Sequence, residues 1–306
     1  MRPSGSRRRV RLAIRSLVLA PALTTALLLA GCTTGASAPT PTPTRTPAVE
    51  VAHDLDFASP GGTPLKLDAC TPKGVAGPLP AVVIVHSGSF IEGAHGDLDW
   101  LCEEGARHGF AAFTVDYRLL PAAHFPGQLD DVASAVDWIS AAAQAKRFRV
   151  DPKRVALLGT SAGAIISSGL LTGVPGSPVK PSRFVGGALL SAAYDLPAAA
   201  TQAGTTQEEV KVALEYAGCS TTDCPALKTI SAINSVDRSD PPIFLANSTN
   251  ELVPLPQATA MDAALKAAGV QHEFHIAQGT DHAEFIVQNH PDIDAAMWAF
   301  LTKIAR

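Results

Sequence analysis

The chain has 306 residues, 46% hydrophobic and 17% charged, with a formal net charge of −4. That hydrophobic share is enough for one large core and excludes an intrinsically disordered protein. Of the 24 basic side chains, six, all arginines, lie within residues 1–32, leaving 18 against 28 acidic ones. With no basic stripe beyond residue 32, nucleic acid is excluded as an expected partner.

Residues 1–32 begin with Arg7, Arg8, Arg9, Arg11 and Arg15 and continue into an apolar run from Leu17 to Ala30. The run is too short for a stable membrane anchor, so the segment reads as a signal peptide and predicts export. It ends Leu28-Leu29-Ala30-Gly31-Cys32, which resembles the lipobox of bacterial lipoproteins. The resemblance implies lipidation of Cys32 and attachment to the bacterial cell envelope, making the membrane a partner. Ser6-Arg7-Arg8-Arg9-Val10 also resembles a twin-arginine signal, which leaves the export route open. Residues 33–48 are rich in Pro and Thr and read as a disordered tether, because alternating prolines favour extended chain. The globular domain is expected over residues 49–306.

In that domain, Asp54–Ala58 and Pro64–Ala69 read as a hairpin around Ser-Pro-Gly-Gly. Ala81-Val-Val-Ile-Val85 is a β-branched run of the kind buried on both faces of a sheet. A helix is expected near Leu98–His108, a strand at Ala111–Val115 and a helix over Leu129–Gln144. The apolar run from Val155 leads into Gly159-Thr160-Ser161-Ala162-Gly163 and then into small, helix-compatible residues. That is the strand–turn–helix context of a nucleophile elbow, with Ser161 as the nucleophile; at Gly159 and Gly163 the tight turn leaves no room for a side chain.

Val185–Ser191 is the next strand, and residues 196–240 form an excursion long enough to serve as a cap over the site. Pro242–Ala246, Leu255–Ala268, Gln271–Ile276 and Ile293–Ile304 complete the alternation as strand, helix, strand and helix. This order predicts an α/β fold with a mostly parallel central sheet and helices on both faces. Four cysteines lie beyond the leader, and export would place them in an oxidising compartment. Cys219 and Cys224 bracket a short turn-prone segment and are the preferred pair, while the pairing of Cys70 and Cys102 stays open. No C-x-x-C spacing supports zinc.

Separated motifs along the domain carry a family resemblance. His86-Ser87-Gly88-Ser89-Phe90 resembles an H-G-G-G-F loop, Asp116-Tyr117-Arg118-Leu119 a D-Y-R-L segment, and Pro126 with Asp131-Val132 a P-x-x-x-x-D-V segment. With the elbow and Leu252-Val253-Pro254, these identify the domain as similar to α/β-hydrolases of the esterase/lipase kind, near the hormone-sensitive-lipase-like and carboxylesterase groups. The resemblance implies a serine hydrolase that cleaves small-molecule carboxylic esters through an acyl-enzyme, without cofactor or metal. It places the base at His282 in Gly279-Thr-Asp-His-Ala283, and oxyanion donors at the backbone of Gly88, Ser89 and Ala162. Two positions depart from the family's glycines, Ser87 and Ser89. The acid position departs as well, since Asn250 stands where the aspartate is usual, and an amide does not stabilise an imidazolium as a carboxylate does. Glu251, one residue on, is the expected acid, with Asp281 as the fallback. An amidase or peptidase on the same fold, or an inactive envelope-binding lipoprotein, are the alternatives that the sequence leaves standing.

Overall fold

The computed structural model describes residues 47–202 and 205–306. The expected signal peptide, Cys32 and all but the end of the tether lie outside the described residues. Eight strands among the described residues form one sheet in the order β1-β2-β4-β3-β5-β6-β7-β8. In chain order the elements are β1 (Val49–Ala58), β2 (Leu65–Pro72), β3 (Leu79–Val85), α1 (Asp99–Arg107), β4 (Ala111–Val115), α2 (Gly127–Ser140) and α3 (Ala142–Phe148). The central elements β5 (Val150–Thr160), α4 (Ala162–Thr172) and β6 (Gly186–Leu190) follow. Three short cap helices come next, α5 (Leu196–Thr201), α6 (Gln207–Ala217) and α7 (Pro225–Thr229). The chain then runs through β7 (Ile243–Ser248), α8 (Pro256–Ala268), β8 (His272–Ala277), α9 (Glu284–Asn289) and α10 (Pro291–Ile304).

β1 and β2 are antiparallel to their neighbours, and every pairing from β4 to β8 is parallel. The inner parallel strands β3, β4, β6 and β7 are buried on both faces, which accounts for the continuous β-branched run of β3. Its side chains alternate: Ala81, Val83 and Val85 pack with α2, α4 and α8 residues such as Val132, Ile166 and Met261. Val82 and Ile84 point the other way, to Leu101 of α1 and to Trp298 and Leu301 of α10.

The expected helix over Leu129–Gln144 is two helices, because Ala141 takes an extended conformation (φ −61°, ψ 141°) between α2 and α3. β1 begins five residues before the expected strand, and β5 begins at Val150 rather than Val155. Both cysteine pairs are disulfides, Cys219–Cys224 as expected and also Cys70–Cys102, which ties β2 to α1. The latter closes a loop of 32 residues, a restriction of the unfolded chain corresponding to about 4 kcal/mol.

The sheet register determines where the loops meet. Val85 lies beside Gly159, Thr160 beside Leu190, Leu190 beside Ala246, and Ser248 beside Ala277. The five strands β3, β5, β6, β7 and β8 therefore end together, and the loops leaving their carboxyl ends share one side of the sheet. In open α/β sheets that side is where ligands bind.

Candidate active site

Ser161 sits between the end of β5 and the start of α4 with φ 49° and ψ −115°, a conformation that costs energy for any residue with a Cβ. A Cβ on Gly159 would lie 2.4 Å from the carbonyl oxygen of Gly163, and one on Gly163 would lie 2.1 Å from that of Val85. The two glycines let the elbow close against its own helix and against β3. That turn lifts the serine hydroxyl clear of the sheet.

The hydroxyl meets His282, whose Nε2 lies 2.8 Å from Ser161 Oγ. On the other side of the ring, Nδ1 is hydrogen-bonded to Glu251 Oε2. A carboxylate can only accept, so Nδ1 carries a proton, and in the neutral ring Nε2 is then the acceptor facing the serine. Glu251 is fully buried, while His282 keeps 23% of its side chain exposed. The other carboxylate oxygen, Oε1, accepts from Ser191 Oγ at 2.9 Å and from the Ser248 N–H at 2.6 Å. Those two donors fix the carboxylate in the dry end of the site. Asn247 closes the same loop, its Nδ2 donating to the carbonyls of Ser248 and Val253.

Asn250 is not in this group. Its side chain is exposed and donates to Thr249 Oγ1. Asp281 turns away from His282 to Asn289 and His290, at 3.0 Å from each. Of the two candidate acids, Glu251 and Asp281, Glu251 alone is hydrogen-bonded to the imidazole. Its extra methylene lets it reach the ring from a backbone position one residue later.

Ala162 is the first residue of α4, so its N–H belongs to the helix end whose donors lack intrahelical acceptors. On the facing loop, Gly88, Ser89 and Phe90 have φ of 109°, 49° and 61°, three consecutive residues in left-handed backbone. Ser89 and Ser161 line the same cavity, whereas Gly88 lines a neighbouring one with His86 and Glu92. His86 is a structural part of this loop: its Nδ1 donates to the Ser87 carbonyl at 2.6 Å, and its ring stacks on Tyr117. Burial holds its pKa below the ordinary 6.5, which suits a neutral scaffold residue. Tyr117 donates to the carbonyls of both His86 and Ser87, and Asp131 clamps Arg118 through backbone and guanidinium N–H groups. The D-Y-R-L and P-x-x-x-x-D-V segments are thus braces for the loop.

The cavity over Ser161 holds about 100 Å³ and has apolar walls, including Phe90, Leu196, Val212, Tyr216 and Leu252. Its roof is the 196–240 excursion. Tyr216 of α6 stacks on Phe90 with centroids 4.1 Å apart, and the Phe125 N–H donates to the Tyr216 carbonyl. His124 donates from Nδ1 to the Glu215 carbonyl. The 196–240 excursion therefore packs directly on the Gly88–Phe90 loop.

Sequence reasoning did not find Ser191 or Ser248. Each is a small polar residue at a strand end, with no local pattern to separate it from any other serine. Ser191 supports two loops at once, because its Oγ also accepts from the Ala283 N–H at 2.8 Å.

With this geometry, the class of protein follows from comparison. A family model described as alpha/beta hydrolase fold matches residues 82–286, and the chain belongs to that family. It is similar to versiconal hemiacetal acetate esterase of Dothistroma septosporum, with 28% identity over 241 residues, 72% of this chain and 71% of that protein. It is also similar to carboxylesterase NlhH of Mycobacterium tuberculosis, 33% identical over 112 residues, 35% of this chain and 34% of that one. Among solved structures, a truncated carbohydrate esterase from gut microbiota superimposes with a TM-score of 0.71 at 18% identity, over 85% of this chain and 97% of that one. A thermophilic esterase from Thermogutta terrifontis gives 0.67 at 20% identity, over 85% and 93%. These structures share the fold.

Proposed function

We propose that the protein is a serine hydrolase of carboxylic esters, working through an acyl-enzyme and exported to the cell envelope on a lipid anchor at Cys32. The observation that carries the catalytic part is the continuous line Glu251–His282–Ser161, with Nε2 of His282 2.8 Å from the serine Oγ and Nδ1 on the carboxylate. The esterase relatives support the substrate class. The two disulfides support export, since such bonds persist in oxidising compartments.

In the first half-reaction, Ser161 Oγ attacks the ester carbonyl carbon as His282 Nε2 takes its proton. The carbonyl π electrons move to oxygen, and backbone N–H groups of Ala162 and the Ser89 loop hold that charge. The intermediate collapses with cleavage of the bond to the alcohol oxygen. His282 returns the proton to the leaving alcohol, and an ester of Ser161 remains. Water then repeats the sequence with His282 as base, releasing the carboxylic acid and restoring the serine. Glu251 holds the tautomer and supports the imidazolium formed in each half.

The apolar cavity receives the acyl chain. Its limited size suits short chains, since each methylene that fails to fit costs about 1–3 kcal/mol of discrimination. A fluorophosphonate probe tests the activated serine directly: intact-protein mass should show one adduct, and peptide mapping should place it on Ser161. A protein left unlabelled under conditions that label a known serine hydrolase would overturn the reading and favour an inactive binding protein. Comparing an ester with the matching anilide distinguishes an esterase from an amidase.

A further inference from the structure

The family resemblance puts a glycine where this chain has Ser87, and the structure gives that serine a partner. Ser87 Oγ is hydrogen-bonded to Glu284 Oε2, 197 residues away, and lies 2.9 Å from Thr160 Oγ1. A carboxylate accepts, so Ser87 donates to Glu284 and can receive the hydroxyl hydrogen of Thr160. The hydrogen-bonded chain Thr160–Ser87–Glu284, with the Glu284 carboxylate as its final acceptor, joins three segments of the site. Thr160 is fully buried and directly precedes Ser161, Ser87 opens the oxyanion loop, and Glu284 follows His282 by two residues. The loops at both ends of the tie have costly backbone. Ser89 and Phe90, neither of them glycine, have positive φ, and so has Ala283 at 57°. Such conformations persist only where surrounding contacts over-determine them.

We infer that Glu284 is a positioning residue for ester hydrolysis, holding the oxyanion loop in register with the elbow and the histidine loop through the Ser87 hydroxyl. This rests on the hydrolase reading of Ser161 and His282. Glu284 touches neither of those residues in the hydrogen-bond network. Its effect passes through Ser87 to the backbone donors that act on the transition state, so it belongs to kcat more than to KM.

The test is steady-state hydrolysis of p-nitrophenyl acetate by the full chain and its Glu284→Ala, Glu284→Gln, Ser87→Ala and Ser87→Ala/Glu284→Ala variants, with thermal melts alongside. Loss of one oxyanion donor costs about 10²–10³ in kcat, and loosening the loop should cost at least about tenfold. Glu284→Ala should show that loss with KM nearly unchanged. Glu284→Gln should recover most of it, because its amide oxygen still accepts from Ser87. Ser87→Ala should match Glu284→Ala, and the double variant should be no worse than either single one. A Glu284→Ala kcat within about twofold of wild type, a Gln variant as poor as Ala, or losses that multiply in the double variant would each overturn the inference. If Glu284→Ala does not fold, the Gln and Ser87 variants decide by the same criteria. Wild-type hydrolysis that survives Ser161→Ala defeats the underlying hydrolase reading, whereas Ser161-dependent hydrolysis indifferent to Glu284 defeats only this inference.

Discussion

At Asn250 and Glu251 a single residue of offset decides whether the site has an acid. Aligned by motif alone, the chain offers an amide to its histidine; in the structure Glu251 reaches the ring and Asn250 faces solvent. Glu251→Gln should therefore lower kcat by about 10³–10⁴ while leaving the fold intact, since an amide favours the wrong tautomer of His282. Asn250→Ala should change kcat by less than about twofold. A steady-state comparison of the two checks the assignment, and a large loss in the second variant alone would overturn the role given to Glu251. Ser161, His282 and Glu251 were legible because chemistry restricts each to few residue types and the loop motifs limit the positions. Ser191 and Glu284 were not, because their contacts span 60 and 197 residues, and Ser248 was not, because it serves Glu251 through its backbone N–H, which almost any residue supplies.

Among the elements, the strand order places the site and the helices hold the strands. Most strands were legible from their β-branched or small-residue runs, and the parallel architecture from their alternation with helices. The break at Ala141 and the early start of β5 were not, because Ala141 lies in an alanine-rich stretch with no breaker and Val150-Asp-Pro-Lys-Arg154 reads as a turn. Packing across elements also sets a pH response. On one face of the sheet Glu104 of α1 meets Asp294 of α10, and burial, followed by that carboxylate, pushes the Glu104 pKa up from 4.5 to about 7. Below about pH 4.5 the folded and unfolded chains both hold this proton, and it does not affect stability. Between there and about pH 7 the unfolded chain releases it first, so folding loses stability as pH rises. Glu104→Gln should raise Tm above pH 7, with the gain shrinking to nothing near pH 4.5. Equal gains at both pH values would contradict this linkage.

For the whole molecule, the proposal is an apolar-pocketed hydrolase held at the envelope by its N-terminal segment. No helix among the described residues is long and apolar enough to cross a membrane; the attachment proposed is a lipid on Cys32, from the lipobox-like end of the leader. Cells fed an alkynyl fatty acid should yield labelled protein in the membrane fraction, and Cys32→Ala should lose both label and fractionation; membrane association unchanged in the variant would refute the anchor. The central claim is that Ser161, activated by His282 and Glu251, carries the acyl group of an ester. Its most direct measurement is turnover of short p-nitrophenyl esters by purified wild-type and Ser161→Ala protein under identical conditions. Saturable turnover in wild type, reduced at least about 10⁴-fold in the variant, is the predicted result; equal rates in the two proteins would contradict the claim.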